Sequence, residues 1–146
     1  MTEKETREWL SSIKIYTDEV NNLLEQIEQL RAIAESCTVN TEKESVQSSS
    51  GDKLANIVGK MVDLENKLMD IDHKVLAKRQ MFGVVTNQMG DNRQTQFLTI
   101  RYLDGHSFYD TVMLMDLTDS TARRIEKRGI SEFADTYNTI FSGKSH

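Results

Sequence analysis

Two long stretches of this chain carry apolar residues at alternating spacings of four and three. The first stripe comprises Trp9, Ile13, Tyr16, Val20, Leu23, Ile27, Leu30 and Ala34. The second comprises Leu54, Ile57, Met61, Leu64, Leu68, Ile71 and Val75, and resumes after Lys78 at Phe82, Val85 and Met89. Such spacing gathers the apolar side chains on one narrow face of a helix, as at the core positions of a coiled coil. Because the sequence has no proline to break these helices, it predicts an all-α protein.

The segment between the two stripes, residues 36–52, is rich in Ser, Thr and Asn. Its composition predicts a flexible loop with little to bury. Two helices with complementary stripes can then fold back on each other as an antiparallel coiled-coil hairpin. In the simplest register Leu30 lies near Ile57, and Tyr16 lies opposite Ile71. Registers shifted by one heptad remain open.

The second stripe is longer than the first. It covers residues 54–89, whereas the first covers residues 9–34, so 10 residues remain, or about 15 Å of helix. The antiparallel register brings Trp9 to the region from Lys78 to Phe82, but Phe82, Val85 and Met89 have no partner in the first stripe. A second subunit or the C-terminal part of the chain has to cover them. On this ground we expect a homodimer or a higher homo-oligomer.

A new module begins after Gly90, which together with Asp91 and Asn92 favours the end of a helix. The sequence therefore predicts two domains, a helical hairpin over residues 1–90 and a second domain over residues 91–146. Three short helices are expected in the second domain. The first carries Phe97, Ile100 and Leu103 on its apolar face and ends at Asp104–Gly105.

The other two helices are expected to start at hydroxyl side chains that can cap them. Ser107 precedes a helix whose inner face includes Phe108, Val112 and Met115. Asp116 occupies the tight turn, and Leu117 fills the core between the helices. Thr118 caps the third helix, which buries Ala122 and Ile125. Helical spacing continues to residue 141, and the sequence leaves open whether Gly129 interrupts it.

This module resembles the helix-turn-helix of sigma-factor region 4. The similarity is carried by the RYLDG run at residues 101–105 followed by Ser107, and by the TDSTARRIEKRGI run at residues 118–130. The chain as a whole resembles phage-encoded late-gene activators of Gram-positive bacteria, the RinA and ArpU types. The resemblance implies a sequence-specific DNA-binding transcription regulator that acts on promoter DNA in the cytoplasm of a bacterial host cell, with host RNA polymerase as a possible partner.

The resemblance also implies roles for individual residues. Ser120, Arg123 and Arg124 match positions that face the major groove, while Thr121, Lys127 and Arg128 match flanking positions near phosphates. The complete set expected at the DNA is Ser107, Thr118, Ser120, Thr121, Arg123, Arg124, Lys127 and Arg128. One departure concerns Asp119 and Ser120, which stand where sigma factors carry an Arg-Glu pair. The departure favours an operator other than an ordinary -35 hexamer.

The sequence offers no pattern for a catalytic site, a disulfide, a metal site or a membrane span. No acid, base or nucleophile is set in a catalytic pattern, so we expect no enzyme and no cofactor. Cys37 is the only cysteine, which excludes an intrachain disulfide and suits the cytoplasm. His73 and His106 lack the spacing of metal ligands. Met113 and Met115 are expected to fill the core. No stretch has the roughly 18 apolar residues that a membrane span needs.

Two alternative functions stay open. Small terminase subunits, which package phage DNA, also combine a helix-turn-helix with helical oligomerisation parts, although they commonly place the DNA-binding part first. An adaptor that binds RNA polymerase without reading DNA is the other alternative. A net charge of -5 argues against holding nucleic acid by bulk attraction alone.

Overall fold

A computed structural model describes the backbone of residues 1–43 and 48–142, and the side chains of residues 1–37 and 51–142. Within these residues the chain forms helices and turns with no strand, which confirms the all-α prediction. The helices are α1 (Glu3–Lys43), α2 (Ser48–Met89), α3 (Arg93–Leu98), α4 (Phe108–Leu114) and α5 (Asp119–Phe141), and a π-helical turn, Thr99–Leu103, continues α3.

The loop predicted over residues 36–52 is shorter than expected. Helix α1 continues to Lys43 and α2 begins at Ser48, so the structure contradicts a loop over 36–43 and 48–52. Residues 44–47 lie outside the described residues. Polar composition misled the prediction because Ser, Thr and Asn lower helix propensity by only a few tenths of a kcal/mol each, and the segment has no proline to stop the helix.

The chain divides into two compact units at positions other than the predicted boundary at residue 90. Unit 1 consists of Met1–Ile15 and the chain from Val75 onward, whereas unit 2 is Tyr16–Lys74. The beginning of α1 and the end of α2 therefore belong with the C-terminal helices. Tertiary packing joins segments that the sequence pattern assigns to different domains.

In unit 2 the described part of each stripe lies on the buried side of its helix. Leu23 and Ile27 of α1 and Ile57 and Ile71 of α2 are buried. Two contacts between the helices run in antiparallel order. Lys67 pairs with Glu19 at 3.9 Å, and the Nζ of Lys74 lies 5.8 Å from the centre of the Tyr16 ring. These contacts join α1 to α2, and the coiled-coil register itself stays a prediction.

The core of unit 1 covers the part of the second stripe that the sequence left unpaired. Phe82, Val85 and Met89 pack in one cluster with Ile130 and Phe133. The other buried members of the cluster are Leu10, Ile13, Leu98 and Tyr102. The cover is thus supplied by the same chain. The unpaired stripe is therefore no reason to expect a dimer, because these three side chains need no second subunit.

Aromatic rings tie the beginning of α1 to α5. The Trp9 ring lies 5.7 Å from Phe133 and 5.9 Å from Tyr137, centre to centre. The Nζ of Lys78 stands over Trp9 at 4.7 Å, where the antiparallel register predicted Trp9 to be. Burial lowers the pKa of Lys78 because desolvation disfavours its charged form. Aromatic and cation-π contacts of this kind each add about 0.5–1.5 kcal/mol beyond the area they bury.

The apolar face of α3 and of the π-helical turn that follows it differs from the prediction. In the turn, Asp104 N donates to Thr99 O at 2.9 Å, five residues back. Leu98 and Tyr102, four residues apart, are buried together with Phe97. Ile100 and Leu103, which the sequence placed on the apolar face, are only half-buried. The spacing of an ordinary α-helix does not apply across such a turn.

Helix α5 runs through Gly129 without a break. A Cβ at this position would lie 3.3 Å from the Cγ of Leu98 and 3.4 Å from the Cβ of Gln94. Glycine is needed here for the close approach of α5 to α3, rather than for a turn. The question that the sequence left open is settled in favour of a continuous helix to Phe141.

Replacing Phe133 by Ala tests the core of unit 1. Phe133 is fully buried and contacts the rings of Trp9 and Phe82. We expect Phe133→Ala to lower the free energy of unfolding by about 3–5 kcal/mol, because the surrounding core cannot collapse fully into the cavity. Urea titration followed by the fluorescence of Trp9, the only tryptophan, measures the change. The matched control is Phe141→Ala at an exposed position, and equal losses for the two variants would contradict the proposed core.

Two glycines in helices should respond in opposite directions to a larger side chain. Gly83 has open space where a Cβ would stand, whereas Gly129 faces Leu98. Gly83→Ala should raise the free energy of unfolding by about 1 kcal/mol through helix propensity. Gly129→Leu should lower it by about 1–3 kcal/mol through overpacking. Thermal and urea unfolding of both variants provide the measurement, and a stabilised Gly129→Leu would refute the close approach.

Candidate nucleic-acid interface

Hydroxyl side chains fix where α4 and α5 begin. The Ser107 hydroxyl oxygen accepts a hydrogen bond from Asp110 N at 3.1 Å, and the Thr118 hydroxyl oxygen accepts one from Thr121 N at 3.3 Å. Both caps are as the sequence predicted. Each satisfies a backbone donor that the first turn of a helix leaves unpaired, which typically stabilises the helix by about 1 kcal/mol.

A tight turn joins α4 to α5. Asp116 adopts the left-handed conformation with φ 54°, and Leu117 N donates to Val112 O at 3.0 Å. Leu117 packs against a small core formed by Phe97, Val112, Ala122 and Ile125. Ala122 is fully buried, so a larger side chain there would separate the helices. The turn and this core hold the first half of α5 in a fixed position relative to α4.

Of the residues predicted to contact DNA, Ser107 and Thr118 cap α4 and α5, and the other six lie on the first three turns of α5. Seven of them are exposed: Ser107, Thr118, Ser120, Arg123, Arg124, Lys127 and Arg128. Thr121 is half-buried. Ser107 and Thr118 already use their hydroxyl oxygens as caps, and the Thr118 hydroxyl also donates to the Thr121 hydroxyl oxygen at 2.8 Å.

The buried face of α5 determines which cations project outward. Ala122, Ile125 and Gly129 point into the protein. At about 100° per residue, Arg124 and Lys127 lie on the opposite side of the helix from Ala122. Among the residues that the structure describes, Arg124, Lys127 and Arg128 form no ion pair. Three cationic side chains therefore stand in solvent on one side of α5.

Arg123 occupies a different position from Arg124. Its guanidinium carbon lies 4.9 Å from the centre of the Phe108 ring, and it stands about 100° around the helix from Ala122. The sequence placed Arg123 and Arg124 together at the major groove. In the structure Arg123 lies on the flank of α5, against α4, while Arg124 projects away from the core.

A network that the sequence did not predict lies on the same flank of α5. Glu126 receives a hydrogen bond from the Tyr102 hydroxyl at 3.1 Å, and its other oxygen pairs with Arg7 at 3.4 Å. Burial, together with the charge of Glu126, raises the pKa of Tyr102 to about 12. Tyr102 therefore remains a proton donor at neutral pH. No local pattern signals a partner for Arg7, which is 119 residues away from Glu126.

Helix α4 exposes apolar side chains. Tyr109 is 63% exposed, Met113 79% and Leu114 62%. Helical spacing predicted that Met113 fills the core, and this prediction is wrong. Met115, the other methionine of that pair, does pack against the small core. Three large apolar side chains are thus exposed on one seven-residue helix.

Neither a metal site nor a membrane-spanning helix is found in the described part of the chain. No group of three or more His, Cys, Asp or Glu among these residues is placed to hold a metal ion. No helix within them has the length and apolar character needed to cross a bilayer. The flank of α5 brings together three arginines, Arg7, Arg101 and Arg123, aromatic rings and the carboxylate of Glu126.

The pKa of Tyr102, raised by burial and by the charge of Glu126, predicts a loss of stability at alkaline pH. The folded pKa of about 12 lies above the ordinary value of 10.0, so the unfolded chain releases the proton more readily. Stability is full below pH 10 and is lost as the pH rises through 12. Tyr102→Phe should make the free energy of unfolding fall less steeply between these two pH values. Tyr109→Phe, at an exposed position, should leave that fall unchanged. Urea unfolding across this pH range would refute the prediction if Tyr102→Phe followed the parent curve.

Comparison with known proteins gives no match. The chain matches no protein-family model, no curated protein and no solved structure. The candidate site is the exposed face of α5 with Arg124, Lys127 and Arg128, together with the flank on which Arg123 stacks against Phe108.

Proposed function

We propose that the chain is a sequence-specific DNA-binding transcription regulator of the phage late-activator type, acting in the bacterial cytoplasm with host RNA polymerase. In this proposal α4, the turn and α5 form a sigma region 4-like helix-turn-helix. Helices α1 and α2 form an antiparallel coiled-coil hairpin. The observation that carries the proposal is the exposed cationic face of α5, opposite a face packed on α3 and α4.

Local charge supports DNA as the partner of α5. Residues 119–128 carry four cationic side chains, Arg123, Arg124, Lys127 and Arg128, and two acidic ones, a balance of +2. One of the two acidic residues, Glu126, is already paired with Arg7. A cationic patch on a chain of net charge -5 concentrates attraction for phosphate at one surface and leaves the rest of the protein repelled by DNA.

The positions around α5 favour different roles for its cations. Arg124 projects from the middle of the exposed face and has the bidentate geometry that guanine O6 and N7 require. Lys127 also lies on this face, one turn further along, and Arg128 lies beside it. These two suit contacts to phosphates, which position a protein on DNA without reading sequence. Ser120, at the start of the face, can donate to either kind of acceptor.

A homo-oligomer, if the regulator forms one, has to use a surface other than the end of α2. Phe82, Val85 and Met89 are buried within unit 1. Dimeric regulators of this class bind paired half-sites about one helical turn of DNA apart. Light scattering on the full chain measures the oligomer directly, and a ring of many subunits would favour the packaging function of a small terminase subunit.

The exposed apolar side chains of α4 favour a second candidate function. Tyr109, Met113 and Leu114 are each more than half exposed, which is a cost in solution unless a partner covers them. A polymerase-binding adaptor would use this surface and need no base contacts. Gel shifts with and without RNA polymerase separate the candidates, because an adaptor retards DNA only when polymerase is present.

The DNA-binding proposal predicts that a selection from random duplexes with the full chain enriches one sequence. Arg124→Ala should weaken binding to that sequence by about 1–3 kcal/mol, because one bidentate base contact is lost, and should weaken non-specific binding much less. Lys127→Ala and Arg128→Ala should instead weaken binding to all duplexes alike, and each should reduce the salt slope by about 1. Fluorescence anisotropy at several salt concentrations measures both quantities.

Arg31→Ala is the matched control for these variants. Arg31 is an exposed arginine on α1 that pairs with Glu28 and belongs to unit 2, which does not contain α5. Arg31→Ala should change the affinity for DNA and the salt slope only by the amount that the loss of one positive charge from the whole protein requires. Ile125→Asp should abolish folding around α5 and all DNA binding together. If the selection enriches no sequence although the parent chain is folded, the proposal of sequence-specific DNA binding is wrong.

A further inference from the structure

A groove on the flank of α5 is lined by side chains from four segments of unit 1. Its volume is about 320 Å³. Helix α1 contributes Arg7, the π-helical turn Arg101, α4 Tyr109 and α5 Arg123. The remaining lining residues are Ser11, Tyr102, Phe108 and Glu126. No local sequence motif contains more than two of the three arginines, so only the fold reveals that they converge.

The charge of this groove is positive. Three guanidinium groups stand against one carboxylate, that of Glu126, so the lining carries a balance of +2. The carboxylate is also occupied, since it accepts from the Tyr102 hydroxyl and pairs with Arg7. Among the described residues lining the groove there is no second acidic side chain. Attraction for an anion is therefore not cancelled from within the groove.

One hydrogen-bond donor of Arg101 has no partner among the described residues. Its Nη1 donates to His106 O at 2.8 Å, and its guanidinium carbon lies 5.1 Å from the centre of the Tyr102 ring. Its Nε is buried and has no hydrogen-bond partner among the residues that the structure describes. A buried donor left unpaired costs about 1–3 kcal/mol, and more on a charged group. Because this atom is closed to solvent, an anion in the open groove would be met by the other N–H groups of the guanidinium and by its positive charge.

Arg123 is held in place by stacking rather than by an ion pair. Its guanidinium lies over the Phe108 ring at 4.9 Å. Stacking leaves the N–H groups at the edge of the guanidinium available for hydrogen bonds. Arginine forks of this kind match the geometry of phosphate oxygens. Arg101 and Arg123 thus offer oriented donors, and Arg7 adds a third charge at the rim, where its side chain is 52% exposed.

We infer that this groove binds a phosphate group, and that the phosphate belongs to the backbone of the same DNA duplex that α5 reads. The inference rests on the proposed function, because DNA is the only source of phosphate that α5 also brings to this flank. Arg123 then positions the duplex instead of reading a base. Arg7 and Arg101 become phosphate-binding residues, and the beginning of α1 becomes part of the DNA interface.

The test uses the full chain with Arg101→Gln and Arg7→Gln, each measured for affinity to the selected duplex and to a scrambled duplex at several salt concentrations. Each variant should weaken both duplexes by the same factor and lower the salt slope by about 0.9, as one lost phosphate contact requires. Arg101→Lys keeps the charge and should restore most of the slope while losing part of the affinity. Arg31→Gln, in unit 2, is the matched control, and urea unfolding followed through Trp9 verifies that each variant is folded.

The outcomes separate this inference from the proposed function. If Arg124→Ala destroys specific binding while Arg7→Gln and Arg101→Gln leave the salt slope of the parent, DNA binding stands and the groove inference is overturned. If Arg101→Gln weakens only the selected duplex, the groove reads sequence and the inference is again wrong. Equal weakening of both duplexes with a reduced slope supports it.

A second experiment tests whether the groove binds the phosphate of DNA or the phosphate of a small molecule. Adenosine monophosphate and inorganic phosphate are titrated into the full chain while the arginine Nε–Hε NMR signals are followed. Shifts of the Arg101 signal only with duplex DNA support the inference as stated. Shifts with adenosine monophosphate in a protein that binds no duplex overturn DNA as the source and the proposed function together. An Arg101 signal that moves with neither probe nor duplex overturns phosphate binding at the groove.

Discussion

The burial of the end of α2 beneath α5 is the interaction on which the rest of unit 1 depends. Phe82 and Val85 are almost completely buried, and their cover comes from Ile130 and Phe133 of α5. The same cluster includes Leu10 and Ile13 from the beginning of α1. One packed core thus joins segments from both ends of the chain. Burying two aromatic rings and several aliphatic side chains contributes about 1.5–3 kcal/mol for each, which outweighs any single polar contact on the surface.

Electrostatics on the flank of α5 follow from that packing. Because the core fixes α1 beside α5, Arg7 reaches Glu126, and the Tyr102 hydroxyl reaches the same carboxylate. An unpaired carboxylate in the middle of a cationic helix would repel a phosphate backbone and offset part of its attraction. Pairing removes most of that repulsion. Glu126 therefore stabilises the arrangement of helices, while residues 119–128 keep a charge balance of +2.

The sequence predicted the features that depend on neighbours in the chain and missed those that depend on distant ones. The apolar stripes, the caps at Ser107 and Thr118 and the turn at Asp116 are local, and each was confirmed. The burial of Leu98 and Tyr102 was missed because these residues pack on distant parts of the chain, including Ile130 and Phe133 of α5. The convergence of Arg7 and Arg101 on Arg123 was also missed, since contacts between residues so far apart in the chain leave no local pattern. The roles of these residues at DNA remain predictions.

Gly129 shows why the helix that carries the cations is also the helix that closes the core. Its missing Cβ lets α5 approach Leu98 to van der Waals distance, and the helix continues unbroken into Ile130 and Phe133. Every residue from Arg123 to Arg128 is therefore fixed, through one rigid helix, to side chains buried a turn or two later. A break at Gly129 would leave the cationic turns anchored only by Ala122 and Ile125. The orientation of the exposed face is thus set as much by the far end of α5 as by the turn that precedes it.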